Sequence, residues 1–509
     1  MNCNRDRRLC AAVLGLAVAW VALPVSAADP GLAFEDIAGW WAAEPSFAGE
    51  SSRVLLHFLE DKGKPTVRLS LLAIGGFEVP IGTVKLEGDR LDMEPLPFPL
   101  RHDRAAGTLS GFLPEAAVPV YRIPVEFRRI AAVEKPPLPT WSAPPPRVKW
   151  RFDVKAPVWA GLAHDAETGR LFVATDAGVL HAVDTASGAA PAAAAWTFDT
   201  GKPIKARPAV VGDAVYVVSD SGFLHKLDKK SGAERWRARV DTATLARLPG
   251  TDEKSRWDRY GSSVVVDGPR LYVASRDRNL YALDVASGRE LWKVGTGDLM
   301  TATPALWRDL LLFADFAGKV QAVDARDGKP RWSYDARLPV AGDLVVDDAG
   351  RVFVGSRTYD LIALDAATGK ELWKHYYWFS WIESPPVVRG QTVYTGSSDG
   401  VGVYAIDVAT GARRWKARVP GWAWARTAVD DRLVVAGTVG YGAWPGVRSG
   451  SLVGLDRQSG ALRWMHVDRP SEEVVAKKAE WGFAAGPLLV GGTVYAADLA
   501  GQLVAIDGS

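Results

Sequence analysis

The chain has 509 residues, 48% hydrophobic and 24% charged, with 50 Gly, 32 Pro and 21 Trp but only two Cys. That is apolar material for several packed cores, which excludes a disordered chain. The formal charge of +2 resides in the first segment: without residues 1–28 there are 58 basic and 58 acidic side chains, a neutral balance that speaks against electrostatic binding of nucleic acid.

At the start of the chain, Arg5, Arg7 and Arg8 precede an apolar run over 11–23, and Pro24-Val25-Ser26-Ala27-Ala28 follows with the small residues of a cleavage site. The pattern predicts a secretory signal over 1–28 and an exported, periplasmic or secreted mature chain. The run is shorter than the ~20 residues that span a bilayer. Cys3 and Cys10 precede or open the apolar run, so neither stands as a lipidated cysteine behind it, and the chain from 29 onward is cysteine-free. That chain has no disulfide, thiolate metal site, cysteine nucleophile or lipid anchor of this kind.

Residues 29–133 contain alternating, strand-like runs at 53–60, 66–73 and 119–129, punctuated by Gly75-Gly76 and Gly88-Asp89. They predict a small antiparallel β-domain. Residues 134–146, with Pro136-Pro137-Leu138-Pro139 and Pro144-Pro145-Pro146, read as a stiff, extended linker.

From 147 to 509 one phrase recurs. It is clearest as YALDVASGRELW, IALDAATGKELW and YAIDVATGARRW, and its aspartates are Asp184, Asp228, Asp284, Asp324, Asp365, Asp407, Asp456 and Asp507, spaced 40 to 56 residues apart. That spacing is one four-stranded propeller blade. Apolar alternation before Asp makes a strand; Asp-x-x-(Ser/Thr/Asp)-Gly closes a turn, with the carboxylate capping backbone N–H groups and Gly supplying positive φ. One recurring carboxylate and no Glu at the twelfth position argue for a turn rather than a calcium loop. Seven aspartates are followed by a tryptophan: Trp196, Trp236, Trp292, Trp332, Trp373, Trp415 and Trp464. The eighth lacks one because the chain ends, and Trp150 in RVKWRFDVK supplies the missing outer strand. The expectation is an all-β protein: an eight-bladed β-propeller closed by pairing its first strand with its last blade, behind a small β-domain.

The AxDxxTGxxxW phrase resembles the pyrroloquinoline-quinone (PQQ) repeat. The resemblance covers about 360 residues and implies an exported propeller of one of two kinds. One kind is the quinoprotein dehydrogenases, which use PQQ and calcium; the other is non-catalytic scaffolds such as the propeller lipoprotein of the outer-membrane β-barrel assembly machinery. Short blades, no large helical insertion and no adjacent cysteine pair resemble the scaffold branch, whereas the missing lipid-attachment cysteine departs from that lipoprotein. Gly39-Trp40-Trp41 followed by hairpins resembles the lipocalin-like modules that precede some secreted hydrolases.

Signatures of nucleotide, serine-hydrolase and zinc-protease chemistry are missing, and the seven histidines show no metal-ligand spacing. Loop length is more telling. If the strands of each blade run outward, connections within the Asp turns are short, whereas the insertions at 240–261, 374–384, 419–426, 437–451 and 465–482 all fall on the opposite face. These loops carry the candidate partner-binding residues Trp257, Tyr260, Tyr377, Trp378, Trp381, Trp422, Trp424, Tyr441 and Trp444, with Tyr376, Phe379 and Trp481. Aligning the starts of the inner strands gives Ala160, Ala206, Gly261, Ala302, Ala341, Glu383, Ala425 and Ala485, small except for Glu383, with Arg426 close by one blade later. The expectation is a non-catalytic scaffold recognising a protein, peptide or envelope component, without cofactor or metal. The alternative is a PQQ- and calcium-dependent oxidoreductase of alcohols or sugars, with PQQ stacked on Trp424, Arg426 holding it and calcium at Glu383.

Overall fold

The computed structural model describes residues 31–72, 76–94, 99–113, 121–135, 137, 140–185, 194–240, 259–378, 380–441, 449–476 and 479–509. The leader over 1–28, Trp257, Phe379 and Trp444 lie outside these.

Eight antiparallel sheets make up the propeller. Blades 1 to 7 span 163–199, 209–239, 264–295, 305–335, 345–376, 387–418 and 428–468. Blade 8 takes its three inner strands from Leu488–Val490, Thr493–Ala497 and Gln502–Asp507, and its outer strand from Val148–Asp153. That outer strand pairs antiparallel with the last one, Trp150 opposite Ala505 and Phe152 opposite Leu503, so the ring closes as the repeat arithmetic requires.

The repeat phrase is explained residue by residue. In blade 3, Asp284 accepts the Ser287 N–H at 2.8 Å and its hydroxyl at 2.6 Å; Asp407 does the same with Thr410, both at 2.9 Å. Gly288 at φ +72° completes the turn, and a Cβ there would lie 2.6 Å from the ring of Trp236. The glycine is therefore needed twice, for the backbone and for the tryptophan of the preceding blade. Trp236 in turn donates to the Val285 carbonyl at 3.1 Å, and Trp373 repeats the arrangement at the seam between blades 5 and 6, against Gly411 and the Val408 carbonyl at 3.2 Å. These two tryptophans thus stitch their blades to the next.

Residues 39–130 form a closed eight-stranded barrel whose strands follow one another around the wall, with a hairpin at 46–51 after the first. Its interior is filled by Trp41, Leu56, Phe58, Val67, Leu91, Met93, Leu109 and Phe127, so this is a packed core. The barrel sits against blades 5 and 6: Tyr121 donates to Asp360 at 2.6 Å, Tyr376 packs edge-on against both Phe47 and Tyr121, and Glu50 pairs with Arg413 and Lys416.

The short-turn face has one exception to the expected uniformity, the connection 185–195 in blade 1, mostly outside the described residues. On the long-loop face the insertion at 437–451 is partly strand. Leu433–Tyr441 runs past the blade edge, pairs with Glu480–Gly482 and bridges to Trp422, tying three insertions together by backbone hydrogen bonds. They can cross because Gly450 and Gly482 meet there; a Cβ on Gly450 would sit 2.4 Å from the Gly482 Cα.

Candidate functional site

The axial channel opens between the long loops. Counting back three residues from each observed inner strand gives Ala160, Ala206, Gly261, Ala302, Gly342, Ser384, Ala425 and Ala485, all small. The sequence alignment is therefore one residue off in blades 5 and 6, and Glu383 belongs to the preceding position with Trp159, Lys205, Tyr260, Thr301, Ala341, Trp424 and Ala484. The position after the small column holds Gly161, Arg207, Ser262, Thr303, Asp343, Pro385, Arg426 and Gly486. Most of these two layers line one recess of about 90 Å³ at the channel mouth.

Sequence-named residues divide into four groups. Tyr260, Glu383, Trp424 and Arg426 line the recess. Trp422 stacks on Trp424 at 4.8 Å and on Tyr441 at 5.4 Å, extending an aromatic wall outward. Trp381 is half-buried beside Arg357, whose guanidinium lies 4.5 Å above its ring. Tyr377 and Trp378 are elsewhere: Tyr377 is fully buried against Tyr404 between blades 5 and 6, and Trp378 packs with Tyr376 in the cluster that receives the barrel. Both rings are spent on packing, Tyr377 inside the seam between two blades and Trp378 under the N-terminal barrel.

Charge at the mouth is arranged in pairs. Glu383, buried, accepts from Arg357 at 2.6 Å, and Arg426 meets Asp343 at 3.1 Å, two blades away. Lys205 contacts Asp176 at 2.5 Å and lies 5.1 Å above Trp159. Arg259 pairs with Glu480 and faces the rings of Trp159 and Trp424. Burial pushes the Glu480 carboxyl up, and Arg259 opposes that shift. Tyr260 donates to the Ala484 carbonyl at 3.1 Å. Trp159, Lys205, Arg207, Asp343 and Arg357 were not singled out in the sequence; reading the positions on either side of the small column would have brought forward the first four, while Arg357 sits on a turn whose direction no local pattern gives.

A family model described as "Outer membrane protein assembly factor BamB" matches residues 190–339 and 317–509. The chain belongs to this PQQ-repeat family. Within the family the curated relatives are of several kinds. A polyvinylalcohol dehydrogenase from a Sphingopyxis species is 27% identical over 45% of this chain and 38% of its own length. The assembly factor BamB of Nitrosomonas eutropha is 29% identical over 30% of this chain and 38% of its own. The chain thus spans well under half the length of these relatives. Among solved structures, BamB from Moraxella catarrhalis superposes with a TM-score of 0.50 at 19% identity, over 70% of this chain and 97% of that one. The quinohemoprotein alcohol dehydrogenase of Comamonas testosteroni gives 0.55 at 13% identity, over 71% and 76%. At these identities the structures bear on the fold, an eight-bladed PQQ-repeat propeller. No helix among the described residues is long and apolar enough to cross a membrane.

Proposed function

We propose that this chain is an exported, non-catalytic binding propeller that recognises a protein, peptide or envelope component through the channel-mouth face. The observation that carries the reading is the state of Glu383. In the oxidoreductase reading this carboxylate is a calcium ligand, but here it is held by the buried Arg357 guanidinium. A cation at Glu383 would have to displace a buried ion pair, a costly exchange. Calcium takes six to eight oxygen ligands, and among the described residues no three His, Cys, Asp or Glu side chains converge on one point. The residues present do not fit a PQQ–calcium centre. The aromatic wall from Tyr441 through Trp422 and Trp424 to Trp159 supports recognition instead, and BamB among the relatives makes a protein partner the first expectation.

Capture from an envelope extract tests this with partly exposed residues, since Trp378 is buried. Trp159→Ser with Tyr441→Ser should weaken capture about thirtyfold, the loss of one strong anchor. Ser287→Glu with Ala367→Glu on the short-turn face should leave it intact. Folded variants giving the reverse pattern contradict the choice of face.

A further inference from the structure

The recess has one charge too many. Lys205, Arg426 and Glu383 on its walls each have an opposite partner, namely Asp176, Asp343 and Arg357. Arg207 is the exception: no hydrogen bond or ion pair engages its guanidinium among the described residues, although it lines the same recess and its side chain is open to the channel space. Its stem lies across Gly161, where a Cβ would come 3.0 Å from the Arg207 Cδ, so a glycine gives it passage. Enclosure by protein, reinforced by Arg426 and only partly offset by Asp343, holds its pKa below the usual guanidinium range. The Arg207 guanidinium faces the channel, and an anionic ligand entering the recess would gain a charge-assisted hydrogen bond from it.

We infer that the recess binds a small organic monoanion, a carboxylate carried on an apolar or aromatic body, with Arg207 as its charge partner. The surplus of one positive charge matches one carboxylate rather than several. Trp159, Tyr260 and Trp424 supply the apolar wall for the body. A free metabolite-sized acid and the C-terminal carboxylate of a polypeptide offer the same chemistry. The inference rests on the channel mouth being the binding face and names what would enter it.

Calorimetric titration of the full-length mature protein decides it, with phenylacetate against phenylacetamide, and Gly-Gly-Gly-Phe with a free against an amidated C-terminus. The free carboxylates should bind saturably and about tenfold or more tighter than the amides, because a charged hydrogen-bond pair is lost. Arg207→Met should erase that ratio and Arg207→Lys should restore part of it. Arg207→Met should melt no lower than wild type, since it removes an unpaired charge; if it fails to fold, the carboxylate-to-amide ratio in wild type decides alone. A tighter phenylacetate points to a free acid and a tighter peptide to a chain end. Absence of saturable binding by wild type up to about 10 mM, or an equal ratio in wild type and Arg207→Met, overturns the inference. Should the face variants still abolish envelope capture while no carboxylate binds, the binding reading stands and this inference alone falls; carboxylate binding with unaltered capture has the opposite meaning.

Discussion

Single residues in this molecule act across seams between blades. Trp373 is 8% exposed, packs on Gly411 and donates to Val408, so Trp373→Ala should cost about 3–5 kcal/mol by chemical denaturation. Gly411→Ala should cost a similar order for a different reason, because a Cβ there would lie 2.7 Å from the Trp373 ring at φ +72°. Acid acts on the turns. The Arg414 hydrogen bond, followed by Thr410, pushes the Asp407 carboxyl down to about 2 from 3.8. A carboxyl depressed on folding stabilises above its unfolded pKa, and that contribution disappears as pH falls from about 4 to 2. Asp407→Asn should therefore melt below wild type at pH 6 and converge with it near pH 2. Asp399 has the opposite sign: burial, with Glu383 nearby, raises it to about 6, so its contribution worsens as pH rises from about 4 to 6. Asp399→Asn should gain on the order of 1–2 kcal/mol over wild type at pH 7.5 and nothing at pH 4.

At the level of elements, the closing strand is the most exposed to test. Val148–Asp153 covers an edge that would otherwise be open, and Trp150 packs at 5.8 Å from Tyr495. Deleting 148–153 should lower the melting temperature and promote aggregation through the free edge of Gln502–Asp507, measured by light scattering during a thermal ramp. Unchanged melting contradicts the closure. This strand was legible in the sequence because the repeat leaves a countable vacancy: eight aspartates but seven following tryptophans. The register at the channel was less legible. The inner strand of blade 5 shrinks to Val345–Val346 and that of blade 6 follows two prolines, so aligning from the loops slipped by one residue, and a slip of one exchanges wall for channel. The barrel was half legible for a related reason. Long alternating runs such as Val54–Asp61 were visible, whereas Leu100–Asp103 is four residues and Gly76–Glu87 pairs with register shifts that break the alternation.

On the scale of the whole molecule, the barrel and propeller share an interface that decides which aromatics remain available. Tyr376 and Trp378 read as binding-loop residues in the sequence because nothing local reveals that a distant unit will cover them, and Tyr377 because nothing local reveals that it turns into the seam against Tyr404. Tyr121→Phe with Glu50→Gln removes the hydrogen bond to Asp360 and the pairs with Arg413 and Lys416. The double variant should be cut faster between barrel and propeller in limited proteolysis while the propeller fragment stays intact; an unchanged cutting rate would mean the interface is held by its apolar contacts alone.

The functional account depends most on the channel being a recognition site and not a redox centre. The direct measurement is titration of the purified mature protein with PQQ in the presence of calcium, followed by absorbance and calorimetric heat, with dye reduction recorded on adding alcohols and sugars. The ion pair between Glu383 and Arg357 predicts no saturable, calcium-dependent PQQ binding and no substrate-dependent dye reduction. Stoichiometric PQQ binding together with alcohol- or sugar-dependent dye reduction, both lost in Glu383→Gln, would contradict it.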